Sequence, residues 1–500
     1  MRGLKVAFCF LFCATLVQSN NLRKDREYWK TLGENELKEA LGLQWNLDVA
    51  KNVILFVGDG MGPNTITAAR IQKGGEGHKL SYETFPHIGL MKTYSADLMV
   101  ADAASTGTAM VSGIKVNSRT IGVDANVAHN DCQASLNPNN RVESMAALAL
   151  RAGRSAGFVT NMRVTHSTLS PLYAHTPNAN WECDASVPPA SSGCKDIARQ
   201  MIEDWPGRDL NVILGGGRQG IITGAQEQEG DPLSRWGCLR ADGRDLFQEY
   251  RNDKTRRGLK HSVVQNRDEL LQAAEDTDYL FGVFRNENLP YEFQRPANTP
   301  SIVDMTESAI KVLQRNPNGY FLLVEGGNID MGHHRGRART AIDEAIAFDE
   351  AVKMAVNMTN EKETLIVVSA NLVHTLSING HPARGSDLFG FTGPSRNDGL
   401  NYTIVSYATG GPGSKHFRVK QEVDGKQSVT RVDPSTEDTK SFFYEQIAGI
   451  TLEENYHGGG DVTVYAKGPY SHLFHNVHEQ HFLFYAMAYA AQLGEYANLY

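Results

Sequence analysis

The sequence predicts an α/β fold with a large, mostly parallel central sheet and helices on both faces. The first observation is a recurrence of short apolar runs, at Val53–Val57, Ala156–Thr160, Leu210–Leu214, Leu280–Phe284 and Thr364–Ala370. Such runs read as buried strands, too short for helices. The second is what separates them: helical segments such as Glu143–Arg151 and Asp196–Asp204. That alternation argues parallel pairing through crossover helices. The third is Tyr320–His334, where the run Phe321–Val324 stops abruptly at Glu325 and two glycines turn the chain. Glu325 thus stands at the carboxyl end of a strand, where open α/β sheets place their ligands.

Taking the chain in order, residues 1–19 read as a signal peptide. Met1–Lys5 is basic, Val6–Val17 is apolar, and Val17-Gln18-Ser19 supplies a cleavage site. The mature protein is therefore expected to be secreted and extracellular. Cys9 and Cys13 leave with the leader, and Cys132, Cys183, Cys194 and Cys238 remain. An even number in an oxidising compartment predicts two disulfides. Asn357-Met358-Thr359 and Asn401-Tyr402-Thr403 are glycosylation sequons in that setting. Residues 20–50 form a charged N-terminal arm, helical from residue 25 onward.

Residues 51–490 carry no internal repeat and no dividing linker. Large α/β enzymes reach this size as one domain with insertions. Residues 385–455 are richer in Gly, Ser, Asn and Asp, and read as an inserted subdomain at the carboxyl edge of the sheet. Phe482–Leu493 reads as a packed helix and 491–500 as a polar tail, so no membrane anchor is expected. A net charge of −8 supplies no basic face for nucleic acid.

Two segments carry chemistry. Val53–Val57 runs into Gly58-Asp59-Gly60-Met61-Gly62, a carboxylate between glycines that serves either as a turn residue or as a ligand. Asp330 and His334 lie four apart. On a helix both would share one face, as two ligands of a divalent metal need. Taken alone, the segment reads equally well as a capping Asp and a surface His.

With Gly58–Gly62, Glu325–His334 (E-G-G-N-I-D-M-G-H-H) and His457–Val462 (H-G-G-G-D-V), the chain resembles the alkaline phosphatase family. His166–Thr176 and Ala466–Leu473 add further matches, in consistent order across residues 50–490. The resemblance implies hydrolysis of phosphate monoesters by a serine nucleophile, two zinc ions and a magnesium ion. It also implies an arginine fork on the phosphate, a crown-like insertion at 385–455 and a dimer, formed with itself or with a related chain.

Carried over residue by residue, one zinc site is retained, with Asp330, His334 and His457 as ligands. The magnesium site is retained as well, with Asp59, Thr168 and Glu325. His166 is kept as a residue behind the ligands. The resemblance also implies a Cys132–Cys194 disulfide, leaving Cys183 to pair with Cys238.

Other positions depart from the family. Ala103 stands where the attacking serine belongs, in Asp102-Ala103-Ala104-Ser105. Ser105 would point roughly 200° around a helix from it. Asn371 and Leu372 replace the Asp-His pair of the second zinc, which should therefore be empty. Ala179 replaces the phosphate arginine, and Met331 replaces a histidine near the phosphate, so a phosphate ester loses its grip. Arg285 and Thr299 occupy positions where the calcium site of vertebrate relatives needs carboxylates.

The expectation is a secreted metalloprotein of this family, catalytically inactive or severely impaired. One alternative is a weak phosphomonoesterase that uses zinc-bound water. Another, of a different class, is a non-enzymatic binding or dimer-partner protein.

Overall fold

A computed structural model of the chain describes residues 25–234, 237–414, 416–423 and 426–498. The expected signal peptide lies outside the described residues. Eight strands in chain order are β1 (Asn52–Gly58), β2 (His87–Lys92), β3 (Ser155–Arg163), β4 (Val212–Gly216), β5 (His261–Val264), β6 (Tyr279–Val283), β7 (Tyr320–Gly326) and β8 (Thr364–Ser369). They join Val462–Lys467 and Asn476–Glu479 in a ten-stranded sheet. From β8 the order runs β8-β1-β7-β3-β4-β6-β5, parallel throughout.

The centre of the sheet is apolar because helices cover both its faces. All seven residues of β1, and all seven of β7, are buried. The register aligns Val57 with Glu325 and Gly58 with Gly326. The carboxyl ends of β1 and β7 are therefore level, and the residues that follow them meet.

The packing helices begin where short polar side chains can accept backbone N–H groups. Ser144 caps Met145–Arg151 and Asp196 caps Ile197–Glu203. Ser301 and Asp304 form a reciprocal capping box at the head of Ile302–Leu313. The expected helices at Glu143 and Asp196 thus start one or two residues later, with the polar residue as cap.

Several boundaries differ from expectation. The strand expected at Leu210–Leu214 is β4, shifted to Val212–Gly216, because Gly207–Asp209 forms a tight turn that ends at Leu210. The terminal helix stops at Ala490, and Gly494–Asn498 adds a single turn. In that turn Tyr496 packs edge-on against Phe484 and Tyr485, so the tail is partly packed.

The far edge of the sheet escaped the sequence reading. Strand β2 alternates buried and exposed residues. Val462–Lys467 runs antiparallel to both β2 and β8, which makes the sheet mixed. Beyond β8, Leu376–Ile378, Val405–Gly410 and Ala448–Thr451 form a small separate sheet. Two hairpins, Phe391–Pro394 with Asn401–Thr403 and Phe417–Val423 with Lys426–Arg431, accompany it.

Both disulfides form, Cys132–Cys194 and Cys183–Cys238. Trp181 is buried against the first. Asn357 is exposed on the last turn of Ala338–Met358, and Asn401 is half-buried. Among the described residues, 25–44 form a unit of their own. In it, α1 (Arg26–Leu41) is capped by Asp25 and exposed along its whole length. Among the described residues no helix is long and apolar enough to cross a membrane.

Candidate metal centre

Asp59 follows β1 and is fully buried. The next residue, Gly60, has a left-handed φ of +71°, and a Cβ there would lie 2.8 Å from His374 Cδ2 and 2.9 Å from Asp330 Oδ1. Only glycine lets this turn come so close. After β7, Asn161 Oδ1 accepts hydrogen bonds from Gly327 N (2.8 Å) and Asn328 N (3.1 Å), which aims the helix Asn328–His334 across the sheet. That helix sets Asp330 and His334 on one face, with His334 Nε2 3.1 Å from Asp330 Oδ2.

His457 completes the expected trio, its Nε2 3.5 Å from Asp330 Oδ1 and 3.1 Å from His334 Nε2. The structure adds His374, paired with His457 across a two-residue antiparallel bridge, with Nε2 2.6 Å from Asp330 Oδ1. Ligand atoms of Asp330, His334, His374 and His457 all lie within 4.8 Å of one another.

The hydrogen bonds behind the rings divide these four. His334 Nδ1 donates to Asn455 O at 2.8 Å and His457 Nδ1 donates to Ala101 O at 3.2 Å. Both rings therefore turn a bare Nε2 lone pair inward. His374 is opposite. Asn455 Nδ2 donates to His333 O and to His374 Nδ1, each at 3.0 Å. Asn455 Oδ1 accepts from Thr375 and Thr409, which fixes the orientation of the amide. His374 must then carry its proton on Nε2 and donate it to Asp330. It orients a ligand rather than being one.

Two lone pairs 3.1 Å apart beside a buried carboxylate call for a positive charge between them. Burial opposes charge on His334, yet Asp330 overrides it and lifts the imidazole to about 9. Burial likewise acts against ionised Asp330, but His334 and His374 hold it well below the usual carboxylate range. Two nitrogens and one oxygen form a donor set that suits zinc.

The second cluster lies on the other side of Asp59. Thr168 Oγ1 donates to Asp59 Oδ2 at 3.1 Å, Thr160 Oγ1 donates to Glu325 Oε2 at 2.6 Å, and His166 Nδ1 lies 2.9 Å from Glu325 Oε1. Ligand atoms of Asp59, His166 and Glu325 fall within 4.8 Å of one another. Burial, with the charges of Asp330 and Glu325, pushes Asp59 up to about 7. Three buried carboxylates converging in this way are a poor arrangement without cations. The oxygens of Asp59, Thr168 and Glu325 suit magnesium.

At Asn371, where the resemblance implies a lost ligand of a second zinc, Nδ2 donates to Asp59 Oδ1 at 2.5 Å and approaches Thr168 Oγ1 at 3.4 Å. Asn371 Oδ1 accepts from Gly60 N and Leu372 N. Leu372 is buried.

Ala103 opens α2 (Ala103–Ser112) and Asp102 caps it. The hydroxyl of Ser105 is committed to Asp102 Oδ1 at 2.6 Å. Ala179 packs against the core, and its N donates to Arg119 O at 2.9 Å. Met331 is half-buried on the Asn328–His334 helix. Arg285 and Thr299 do meet, Arg285 Nη2 donating to Thr299 Oγ1.

Sequence reasoning gave no role to His374, Asn455, Thr160 or Asn161. His374 lies in the same short segment as Asn371 and Leu372, three residues beyond Asn371, and its imidazole was the available signal.

Comparison with known proteins agrees with this geometry. The alkaline phosphatase family model matches residues 50–493. The chain is 41% identical over 492 residues to the rat alkaline phosphatase, tissue-nonspecific isozyme, covering 95% of this chain and 90% of the relative. It is 42% identical over 483 residues to an alkaline phosphatase of Gadus morhua, covering 94% and 98%. Among solved structures, alkaline phosphatase from Thermus thermophilus is similar with a TM-score of 0.62 at 19% identity, covering 89% of this chain and 92% of that one. That of the Antarctic bacterium TAB5 gives 0.60 at 20%, covering 90% and 100%. With its motifs in order from β1 to His457, and such relatives along nearly its whole length, this chain belongs to the alkaline phosphatase family.

Proposed function

We propose that the protein is a secreted member of the family that holds one zinc and one magnesium ion but does not hydrolyse phosphate monoesters at an enzymatic rate. The observation that carries this reading is the amide of Asn371 on Asp59 Oδ1, a neutral donor where a second cation would sit. Asp330, His334 and His457 would hold zinc, and Asp59, Thr168 and Glu325 would hold magnesium. A metal at such a site supplies Lewis-acid charge to an oxygen.

The chain's own residues supply little else that the reaction needs. Ala103 has a methyl group in place of a nucleophilic oxygen, and Ala179 has no donors for the phosphate oxygens. Ser105 is no substitute while its hydroxyl is held by Asp102. Loss of a nucleophile costs on the order of 10⁶-fold where a hydrolase depends on it. Retained scaffolding and metal ligands beside a missing nucleophile favour a binding role, as a glycosylated dimer with itself or with a related chain.

The test is a phosphomonoester assay on secreted protein, purified from cells that lack active relatives, with metal content measured on the same sample. Turnover at roughly 1–10³ s⁻¹ would overturn the proposal. So would two tightly held zinc ions per chain.

A further inference from the structure

The carboxyl ends of β4 and β6, which are neighbours in the sheet, carry Arg218 and Arg285. Both are nearly buried, at 6% and 8% exposed. The backbone joins them: Gly217 N and Arg218 N donate to Arg285 O at 3.0 and 2.9 Å.

Arg218 has a counter-ion. Its Nη1 lies 2.9 Å from Asp231 Oδ2 and also donates to Asn286 Oδ1. Asp231 Oδ1 accepts from Asn286 N at 2.8 Å, so both oxygens of Asp231 are engaged, and only its charge reaches Arg285. Arg285 has no such partner. Its Nη2 donates to the neutral Thr299 hydroxyl, and among the described residues no carboxylate lies within ion-pair distance. Beyond Thr299, Arg295 donates to Thr299 O and pairs with Glu292. Asp231 and Glu292 are thus paired with Arg218 and Arg295, and Arg285 is left without an ion pair of its own among the described residues.

The Nε atoms of Arg218 and Arg285 are buried without a hydrogen-bond partner. An unpaired buried cation with idle N–H donors is costly, and proteins meet that cost with a counter-ion. Thr299 Oγ1 accepts from Arg285 and keeps its own proton to donate. We infer that Arg285, with Arg218 and Thr299, binds one small monovalent inorganic anion of the halide class. A single guanidinium without an ion pair matches a monovalent halide and disfavours a multiply charged phosphate. The site is separate from the metal clusters and does not depend on the protein's activity.

The experiment uses the full mature protein and bromide as the probe. Melting temperature is followed as bromide replaces gluconate at constant ionic strength, and bromide is located in crystals by its anomalous scattering. The wild type should gain on the order of 2 °C and saturate, with an anomalous peak beside Arg285. Arg285→Gln should show no bromide dependence, while in gluconate it should melt no lower than wild type because the unpaired charge is gone. Thr299→Val, which leaves the arginines in place, should bind bromide about tenfold more weakly. The inference is overturned if bromide and gluconate give the same wild-type curve. It is also overturned if bromide density appears only elsewhere, or if Thr299→Val titrates like the wild type.

Discussion

Asn371 Nδ2 donates to Asp59 Oδ1 at 2.5 Å while Thr168 Oγ1 donates to Oδ2, so a neutral amide holds the second oxygen of Asp59. This contact partly offsets the crowding of Asp59 by Asp330 and Glu325, since hydrogen bonding from Asn371 lowers a pKa that burial and those charges raise. Asn371→Asp would put like charges in contact. In chelator it should lose about 1–3 kcal/mol of stability, and added zinc should recover the loss. Asn371→Asp combined with Leu372→His should take up one more zinc per chain than wild type by elemental analysis. Unchanged zinc content would contradict this account of the amide.

Zinc affinity should depend on residues that never touch the metal. His374 donates to Asp330, and Asn455 fixes the His374 tautomer while its backbone oxygen holds His334. His374→Ala or Asn455→Leu should weaken zinc about 10–100-fold in a chelator competition, leaving magnesium affinity nearly unchanged. A direct ligand role for His374 would instead show as loss of zinc at any practical concentration.

The legible parts of the molecule were those written within a few residues. Phe321–Val324 is continuously apolar because β7 is buried on both faces, and Asp330 with His334 needed only helical spacing. β2 is a six-residue strand with alternating exposure, and it lies beside Val462–Lys467, far away in the chain. The His374–Asp330 and Asn455–His374 contacts span 44 and 81 residues. No local pattern encodes such contacts, since register and crossover bring those residues together. The apolar run predicts a strand that ends at Thr160, yet Asn161 lies within β3 and holds the turn after Glu325.

That turn has a pH-dependent support. Glu344 Oε2 accepts from Asn161 Nδ2 at 3.2 Å, and its Oε1 accepts from Glu292 N. Burial, opposed by the Glu292 N–H and aided by the Glu292 and Asp343 charges, pushes Glu344 up to about 8. A carboxyl raised in the folded state gives stability that is full below its unfolded pKa and lost as pH rises through the folded one. Wild type should therefore lose on the order of a few kcal/mol relative to Glu344→Gln between about pH 4.5 and pH 8. Parallel denaturation curves for the two proteins across that range would exclude the effect.

Each disulfide ties the connection between β3 and β4 to a neighbouring one, Cys132–Cys194 to that between β2 and β3 and Cys183–Cys238 to that between β4 and β5. Replacing Cys183 and Cys238 by Ser together should destabilise by roughly 2–5 kcal/mol, measured by denaturant unfolding. Native secreted material should show no free thiol among the four cysteines, and a reactive Cys132 would refute the pairing with Cys194.

Activity should return only when several parts are restored together. Ala103→Ser alone places a hydroxyl at the head of α2, but Asn371 and Leu372 offer neither carboxylate nor imidazole to a cation, and Ala179 offers no donor to a phosphate oxygen. These groups act as a unit, so their costs do not add and one repair recovers little. The single variant should stay at background. Ala103→Ser with Asn371→Asp, Leu372→His and Ala179→Arg should give measurable phosphomonoesterase activity at alkaline pH in zinc and magnesium, and Met331→His should raise it further. The gain should appear in kcat rather than only in KM, because the restored interactions are made in the transition state. A single Ala103→Ser variant as active as the combined one would mean that the second cation and the arginine are dispensable, and the role assigned to Asn371 would fall with it.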